Sequence, residues 1–168
     1  MIYRAIGVLA DNSELAIAFA EFHENAGTWS CNIMANEKYP LMPVGQTINK
    51  FINEKELQYQ VALITFHSLY PIAETGASIA AETELPVITD LQEIDFALEG
   101  NGEFLNTAAG KINLQFDPED AEKNLIKKAV CIAFMGVLRW REEYNFLSSV
   151  TGAKRNSIGG AVWLGQEA

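Results

Sequence analysis

The stretch that decides the fold is residues 2–40, which read IYRAIGVLADNSELAIAFAEFHENAGTWSCNIMANEKYP. Ile2–Ala10 is apolar and suits a strand, and Leu15–Glu24 and Thr28–Tyr39 continue with side chains that alternate in character. Two short turn-forming segments separate these runs, Asp11-Asn12-Ser13 and Asn25-Ala26-Gly27. Because turns this short join antiparallel neighbours, the stretch predicts a three-stranded antiparallel meander.

Beyond the meander, helical and strand-like segments alternate. Their predicted order is a helix at Gln46–Leu57, a strand at Gln60–Phe66, a helix at Glu74–Glu84 and a strand at Pro86–Thr89. The first helix is predicted from apolar residues at helical spacing and the second from its alanine content. Strands joined through helices lie parallel in one sheet, so we expect two parallel strands to extend the meander.

The clearest helix lies in the last third of the chain. Asp117 is a good N-cap residue, Pro118 suits the first helical position, and apolar residues then recur at helical spacing. We expect a single domain over residues 1–168. Its predicted parts are a lobe-like part at 1–105, a connector at 106–117, a long helix packed on the sheet at 118–147, and a C-terminal loop and strand at 148–168.

The charge balance bears on location and partners. The 168 residues include 22 acidic and 12 basic side chains, which gives a net charge of −10. Such a chain repels nucleic-acid phosphates and anionic membrane surfaces, so we expect neither as a partner. The sequence opens directly on a strand pattern, with no signal peptide and no apolar run of membrane-spanning length, which predicts a cytoplasmic protein.

The residues that commonly bind metals are few and scattered. Cys31 and Cys131 stand alone, and the chain has two histidines. No pair has the spacing of a structural zinc site, so we expect no metal and read both cysteines as free thiols.

The C-terminal part of the chain carries a resemblance to a known family. Residues 133–160 read AFMGVLRWREEYNFLSSVTGAKRNSIGG and resemble the C-terminal end of the anhydro-N-acetylmuramic acid kinases. Residues 2–105 resemble the N-terminal lobe of the same family, and most of its second lobe has no counterpart here. The resemblance implies an internally truncated, degenerate member: an α/β protein that is a single ribonuclease-H-like (actin-like ATPase) lobe.

In that family, a glycine-rich first hairpin approaches the nucleotide phosphates. The matching stretch here is residues 7–18, and its phosphate-turn position is held by Asp11, Asn12 and Ser13. The turn is shorter, its later glycines are missing, and Asp11 and Glu14 bring negative charge to the place of a polyphosphate. The resemblance therefore implies a vestigial phosphate turn.

Two other family motifs supply candidates for ligand binding. His67 matches a histidine of a Ser-His-Gly-His motif, and Asp90 and Asp95 match two carboxylates of a later block. The arginine of that block, suited to the carboxylate of the sugar, is Gln92 here. We interpret His67, Asp90 and Asp95 as vestigial ligand-binding positions and assign no catalytic residue.

These departures predict a non-catalytic remnant of the kinase that acts as a binding, interaction or regulatory protein. Two alternatives stay open: a residual amino-sugar or nucleotide binding module, and a kinase of peptidoglycan recycling that is completed by a partner chain. No cofactor is expected, and Mg-ATP only if the family activity is retained. The face left by the missing lobe predicts a homodimer.

Overall fold

The computed structural model describes residues 1–11, 13–69, 72–89, 112, 121–141 and 160–164. Its elements in chain order are β1 Ile2–Ala10, β2 Glu14–Asn25, β3 Thr28–Pro40, α1 Val44–Glu54, β4 Leu63–Ser68, α2 Gly76–Thr83, β5 Val87–Thr89, α3 Ala121–Trp140 and β6 Ala161–Trp163. The predicted mixed α/β class is confirmed.

The six described strands form one sheet in the order β3-β2-β1-β4-β5-β6. β1 pairs antiparallel with β2, and β2 pairs antiparallel with β3. On its other side β1 pairs parallel with β4, β4 pairs parallel with β5, and β6 closes the sheet antiparallel to β5. Strand β1 therefore lies inside the sheet, with strands of opposite direction on its two sides.

The central strands are apolar because both faces of the sheet are covered. On one face, Ala5, Leu9, Ala18, Ala20 and Phe22 belong to a core shared with α3. On the other face, α1 and α2 cover the alternate residues of the same strands; these are Ile6, Val8, Ala10, Leu15, Ile17 and Phe19. Successive side chains of a strand point to opposite faces, so a strand buried on both sides reads as one continuous apolar run.

Helix α3 approaches the sheet closely at two glycines. A Cβ atom on Gly7 would overlap the carbonyl oxygen of Ala129, and a Cβ atom on Gly136 would overlap the hydroxyl oxygen of Thr65. Gly7 and Thr65 are neighbours across the β1–β4 pair. The absence of side chains at both glycines thus lets α3 rest directly on the two central strands.

The direction of α3 follows from its two ends. Gly7 of β1 lies under Ala129 and Ala133. The Arg141 guanidinium, just past the helix, lies 5.6 Å from the ring centre of Tyr3 and 5.0 Å from that of Trp29. Because Tyr3 is near the amino end of β1, α3 runs antiparallel to β1 and its N-terminal half lies over the carboxyl ends of the parallel strands.

Polar contacts fasten β3 to α1. The Tyr39 hydroxyl donates a hydrogen bond of 2.9 Å to Glu54, and the Lys55 ammonium lies 3.1 Å from Glu37. Burial, followed by the hydrogen bond to Glu54, raises the pKa of the Tyr39 phenol well above its usual range. The phenol therefore stays protonated and keeps its role as donor.

Some predicted boundaries shift, for local reasons. The strand predicted at Gln60–Phe66 is β4 at Leu63–Ser68. Its start moves because the chain is still turning after α1, where Glu56 and Tyr59 have positive φ values of 56° and 65°. Its end extends because Ser68 still pairs with Ala10 of β1. The helix predicted at 118–147 contains α3, and residues 118–120 and 142–147 lie outside the described residues.

Both cysteines are free thiols, as predicted, and Cys131 is buried in α3. Burial raises the pKa of the Cys131 thiol to about 12. In the described part of the chain, no helix combines the length and apolar character needed to cross a bilayer.

Candidate functional site

The strand order indicates where a site can form. From β1 the chain turns to β2 and β3 on one side of the sheet and later returns through β4 and β5 on the other. In open α/β sheets, ligands bind in the crevice outside the carboxyl ends of the strands at such a switch point. Here that crevice lies beyond Ala10 of β1 and Ser68 of β4, which are paired neighbours.

A row of side chains crosses the sheet just before this edge. Lys38 of β3 is opposite Ala16 of β2, Ala16 is opposite Leu9 of β1, and Leu9 is opposite His67 of β4. Leu9 belongs to the core under α3, so the whole row is on the α3 face. Three strand spacings separate Lys38 from His67, which is about 14 Å.

The N-terminal half of α3 carries two lysines toward the same end of the sheet. Lys127 and Lys128 come just before Ala129, which lies over Gly7, so they lie beyond Gly7 toward Leu9. All four groups, Lys38, His67, Lys127 and Lys128, are half-buried. We call this set the carboxyl-end surface.

Two of these four groups are not engaged by neighbours that the structure describes. Within the described residues, neither Lys38 nor Lys128 makes an ion pair or a side-chain hydrogen bond. His67 and Lys127 do have interactions of their own. An ammonium group that no carboxylate neutralises keeps its capacity to attract an anion.

Asp11 shapes the edge beside this surface. One of its carboxylate oxygens accepts hydrogen bonds from the backbone amides of Ser13 at 2.8 Å and Glu14 at 2.9 Å, and from the Ser13 hydroxyl at 3.3 Å. This is the bonding of an Asx turn, which closes the hairpin between β1 and β2. The predicted phosphate-turn residues Asp11 and Ser13 are thus bonded to each other, and Asn12 lies outside the described residues.

Replacing Asp11 with alanine is expected to lower the free energy of unfolding by about 1–2 kcal/mol, because two turn amides lose their acceptor. Urea unfolding followed by circular dichroism measures the change. Asp11→Asn keeps an oxygen in the same place and serves as the control. Equal stability of Asp11→Ala and the unchanged protein would contradict a structural role for this carboxylate.

The other predicted site residues divide into two groups. His67 is at the carboxyl end of β4, on the α3 face, next to Ser68. Asp90 and Asp95 lie outside the described residues, so the predicted grouping of His67 with these carboxylates stays a prediction.

The N-terminus of α1 is closed from within the chain. The Glu74 carboxylate accepts the Val44 amide at 2.6 Å and, more weakly, the Gly45 amide at 3.4 Å. Amide groups at a helix start attract anions, and here a side chain of the same protein already satisfies them. This helix end is therefore not part of the candidate site.

Sequence reasoning missed the lysines of the carboxyl-end surface. The cationic cluster visible in the sequence includes Arg139 and Arg141, at the far end of α3. Arg139 donates to the carbonyl of Gly160, and Arg141 lies on Trp29 and 3.6 Å from Glu24. Both arginines thus hold the fold together. Lys38 and Lys128 are distant in sequence. They can be recognised as parts of one surface only after the tertiary structure is known.

Acidic side chains are distributed unevenly around the sheet. Glu37 bonds to Lys55 on the α1 side, and Glu21 bonds to Arg4 at 2.7 Å, also on that side. The Arg4 hydrogen bond lowers the pKa of Glu21. Glu24 is at the amino end, beside Arg141. The Asp11 carboxylate and the start of β2 at Glu14 lie at the β1–β2 hairpin, beside the carboxyl-end surface.

This architecture, a mixed sheet with α3 on one face and α1 and α2 on the other, agrees with a ribonuclease-H-like fold. Solved structures of RuvC share it. The Thermus thermophilus RuvC structure matches with a TM-score of 0.54 and 16% identity, covering 84% of this chain and 96% of that one. T. thermophilus RuvC in complex with Holliday junction substrate matches with a TM-score of 0.53 and 14% identity, covering 83% and 96%. Identities this low establish the fold alone.

No protein-family model matches the sequence, and neither does any curated protein. The predicted relationship to anhydro-N-acetylmuramic acid kinases is wrong, since the structural matches are RuvC chains. Three further predictions depended on that relationship and are not supported: the kinase remnant, the role in peptidoglycan recycling and the conditional Mg-ATP cofactor. Short glycine- and serine-rich motifs misled the comparison, and much of the motif at 133–160 lies outside the described residues.

The expected partners are corrected as well. The exclusion of nucleic acid is wrong: it rested on net charge, and a protein of this fold is known in complex with a Holliday junction. Net charge sums over the whole surface, whereas binding depends on the local field. The predicted dimer through the face of a missing lobe loses its basis, because that face was defined by comparison with the kinases.

Proposed function

We propose that this protein binds nucleic acid through the carboxyl-end surface. The observation that carries the proposal is the row on the α3 face that aligns Lys38 with His67 at the switch point of the sheet, together with Lys127 and Lys128 in the N-terminal half of α3. The likeness to RuvC, one of whose structures contains a Holliday junction, supports nucleic acid as the ligand class.

The chemistry of the surface suits a phosphate backbone. Lysine binds phosphate as a point charge, and Lys38 and Lys128 have no competing carboxylate among the described residues. About 14 Å separates Lys38 from His67 across three strand spacings, so the surface can contact phosphates that are not adjacent along one strand. Backbone contacts of this kind position a nucleic acid and carry no sequence information.

The proposal also takes residues 1–168 as one domain, as the sequence predicts. The pairing of β6, near the end of the chain, with β5 supports this organisation. The proposal likewise takes the fold that the sequence predicts, in which the antiparallel strands β1–β3 are extended by the parallel strands β4 and β5, and the strand pairing supports it.

Binding is expected to depend strongly on salt. A fluorescein-labelled four-way DNA junction is titrated with the protein, and fluorescence anisotropy gives Kd at several salt concentrations. With about three phosphate contacts, affinity is expected to fall roughly 40-fold between 50 and 200 mM salt, because each contact releases condensed counterions.

A duplex and a single strand of matched length are titrated in parallel. Tighter binding to the junction identifies branched DNA as the ligand, and equal affinities indicate general backbone binding. No change in anisotropy with any of the three DNAs at 50 mM salt would refute the proposed function.

A further inference from the structure

Hydrolysis of phosphodiesters places a specific demand on a protein. Nucleases commonly use two divalent cations about 3.5–4 Å apart, which stabilise the attacking and leaving oxygens. Such cations take hard oxygen ligands, chiefly the carboxylates of Asp and Glu. A nuclease with this fold therefore needs several carboxylates that converge near the bound phosphate.

The two central strands supply no such ligand. β1 reads IYRAIGVLA and β4 reads LITFHS, with no Asp or Glu in either. From Ala5 to Ala10, β1 is buried on both faces, and from Leu63 to Phe66 so is β4. The carboxyl halves of these strands lie beside the carboxyl-end surface, so these two strands offer the crevice no carboxylate ligand.

The seam between α3 and the sheet is closed to any new side chain. A Cβ atom at Gly7 would overlap the Ala129 carbonyl, and one at Gly136 would overlap the Thr65 hydroxyl. The buried Thr65 hydroxyl has no hydrogen-bond partner among the described residues and faces the helix. The buried residues of α3 beside this seam are apolar; they are Ala129, Val130, Ile132, Ala133, Phe134, Met135, Val137 and Leu138.

The nearest described carboxylates do not supply the metal ligands that β1 and β4 lack. One oxygen of Asp11 already accepts three hydrogen bonds in the hairpin turn. Glu14 follows in the same turn and pairs across the sheet with Pro40. Throughout the described ranges, no group of three His, Cys, Asp or Glu side chains is placed to hold a metal ion. The described residues do not fit a two-cation centre.

We infer that this protein recognises nucleic acid without hydrolysing it, so that its carboxyl-end surface covers the bound backbone rather than cutting it. The inference rests on the proposed function for its ligand and on the closed α3–sheet seam for the absence of cleavage. Bound DNA is thereby protected in the region that the protein contacts.

Three measurements on the full chain test this. Anisotropy with the four-way junction reports binding, and denaturing gels of the same junction report strand cleavage in millimolar Mg²⁺ or Mn²⁺. Calorimetric titration with Mn²⁺ alone reports whether the whole chain holds a metal. We expect binding, no cleavage above the protein-free sample, and no stoichiometric uptake of Mn²⁺.

The possible results separate the two claims. Metal-dependent cleavage that is lost in Lys38→Gln/Lys128→Gln would overturn the inference and leave the proposed function standing. One-to-one Mn²⁺ binding at micromolar affinity would also overturn it, whether or not DNA binds. Failure of the junction, the duplex and the single strand alike to bind would refute the proposed function, and with it the protective role.

Discussion

Replacing Gly136 with alanine is expected to lower the free energy of unfolding by about 3 kcal/mol, at the upper end of the usual cost of overpacking. The new Cβ atom would overlap the Thr65 hydroxyl oxygen and lie 2.9 Å from Thr65 Cβ and 3.2 Å from Cγ2. Helix α3 cannot retreat without opening its contact with β1, where Gly7 already meets the Ala129 carbonyl. Thermal unfolding should show a decrease in Tm of about 6–12 °C for a chain of this size.

Two further variants distinguish the effect of the close contact on stability from the effect of replacing a glycine. Gly27→Ala places its Cβ in open space, and its cost of about 1 kcal/mol comes from a φ of 83° alone. Thr65→Ala removes the atom that Gly136→Ala would meet most closely, so the double variant should regain part of the lost stability. If Gly136→Ala is no less stable than Gly27→Ala, the close packing of α3 on β4 is not as described.

Neutralising Lys38 and Lys128 together is expected to weaken DNA binding about 60-fold at 0.1 M salt, since each lost phosphate contact removes about 0.9 from the salt exponent. The slope of log K against log salt should fall by about two. The substitutions are Lys38→Gln and Lys128→Gln, and anisotropy over a salt series measures both effects. Neither lysine is bonded to another described side chain, so stability should change little.

The control carries the same change of charge on the opposite face of the sheet. Lys50 is on α1, and Lys55 directly follows that helix. Lys50 lies near Glu54, and Lys55 lies near Glu37. Lys50→Gln/Lys55→Gln should therefore keep nearly the affinity and salt slope of the unchanged protein. An equal loss in both double variants would show that general attraction, not the carboxyl-end surface, governs binding.

Much of the architecture could be predicted because it follows from local sequence patterns, namely turn-forming segments and the spacing of apolar residues. The turns at 11–13 and 25–27 separate strand-like runs, and Ala26 and Gly27 take the positive φ values of 53° and 83° that a tight hairpin requires. The apolar spacing of α1 likewise predicts which residues it buries, among them Ile48, Phe51 and Ile52. Each of these signals lies within a few residues of the structure it specifies.

The candidate site was less accessible to such reasoning. His67 was singled out as a ligand-binding position, and the structure places it at the carboxyl end of β4. Lys38 and Lys128 carry no local pattern, because an isolated lysine on a half-buried surface resembles any solvated charge. The net charge of −10 pointed away from nucleic acid because a sum over the chain contains no positions.

The sequence by itself determined the order and type of most described elements and the positions of the two short turns that join the first three strands. These follow from backbone preference and apolar periodicity, which act over short distances along the chain. Only the tertiary structure decided the strand register that aligns Lys38 with His67, and the packing of α3 that directs its N-terminal half, with Lys128, toward the same end of the sheet. Both depend on packing between segments far apart in sequence. Gly7 is an example, because its lack of a side chain matters only where α3 packs against it.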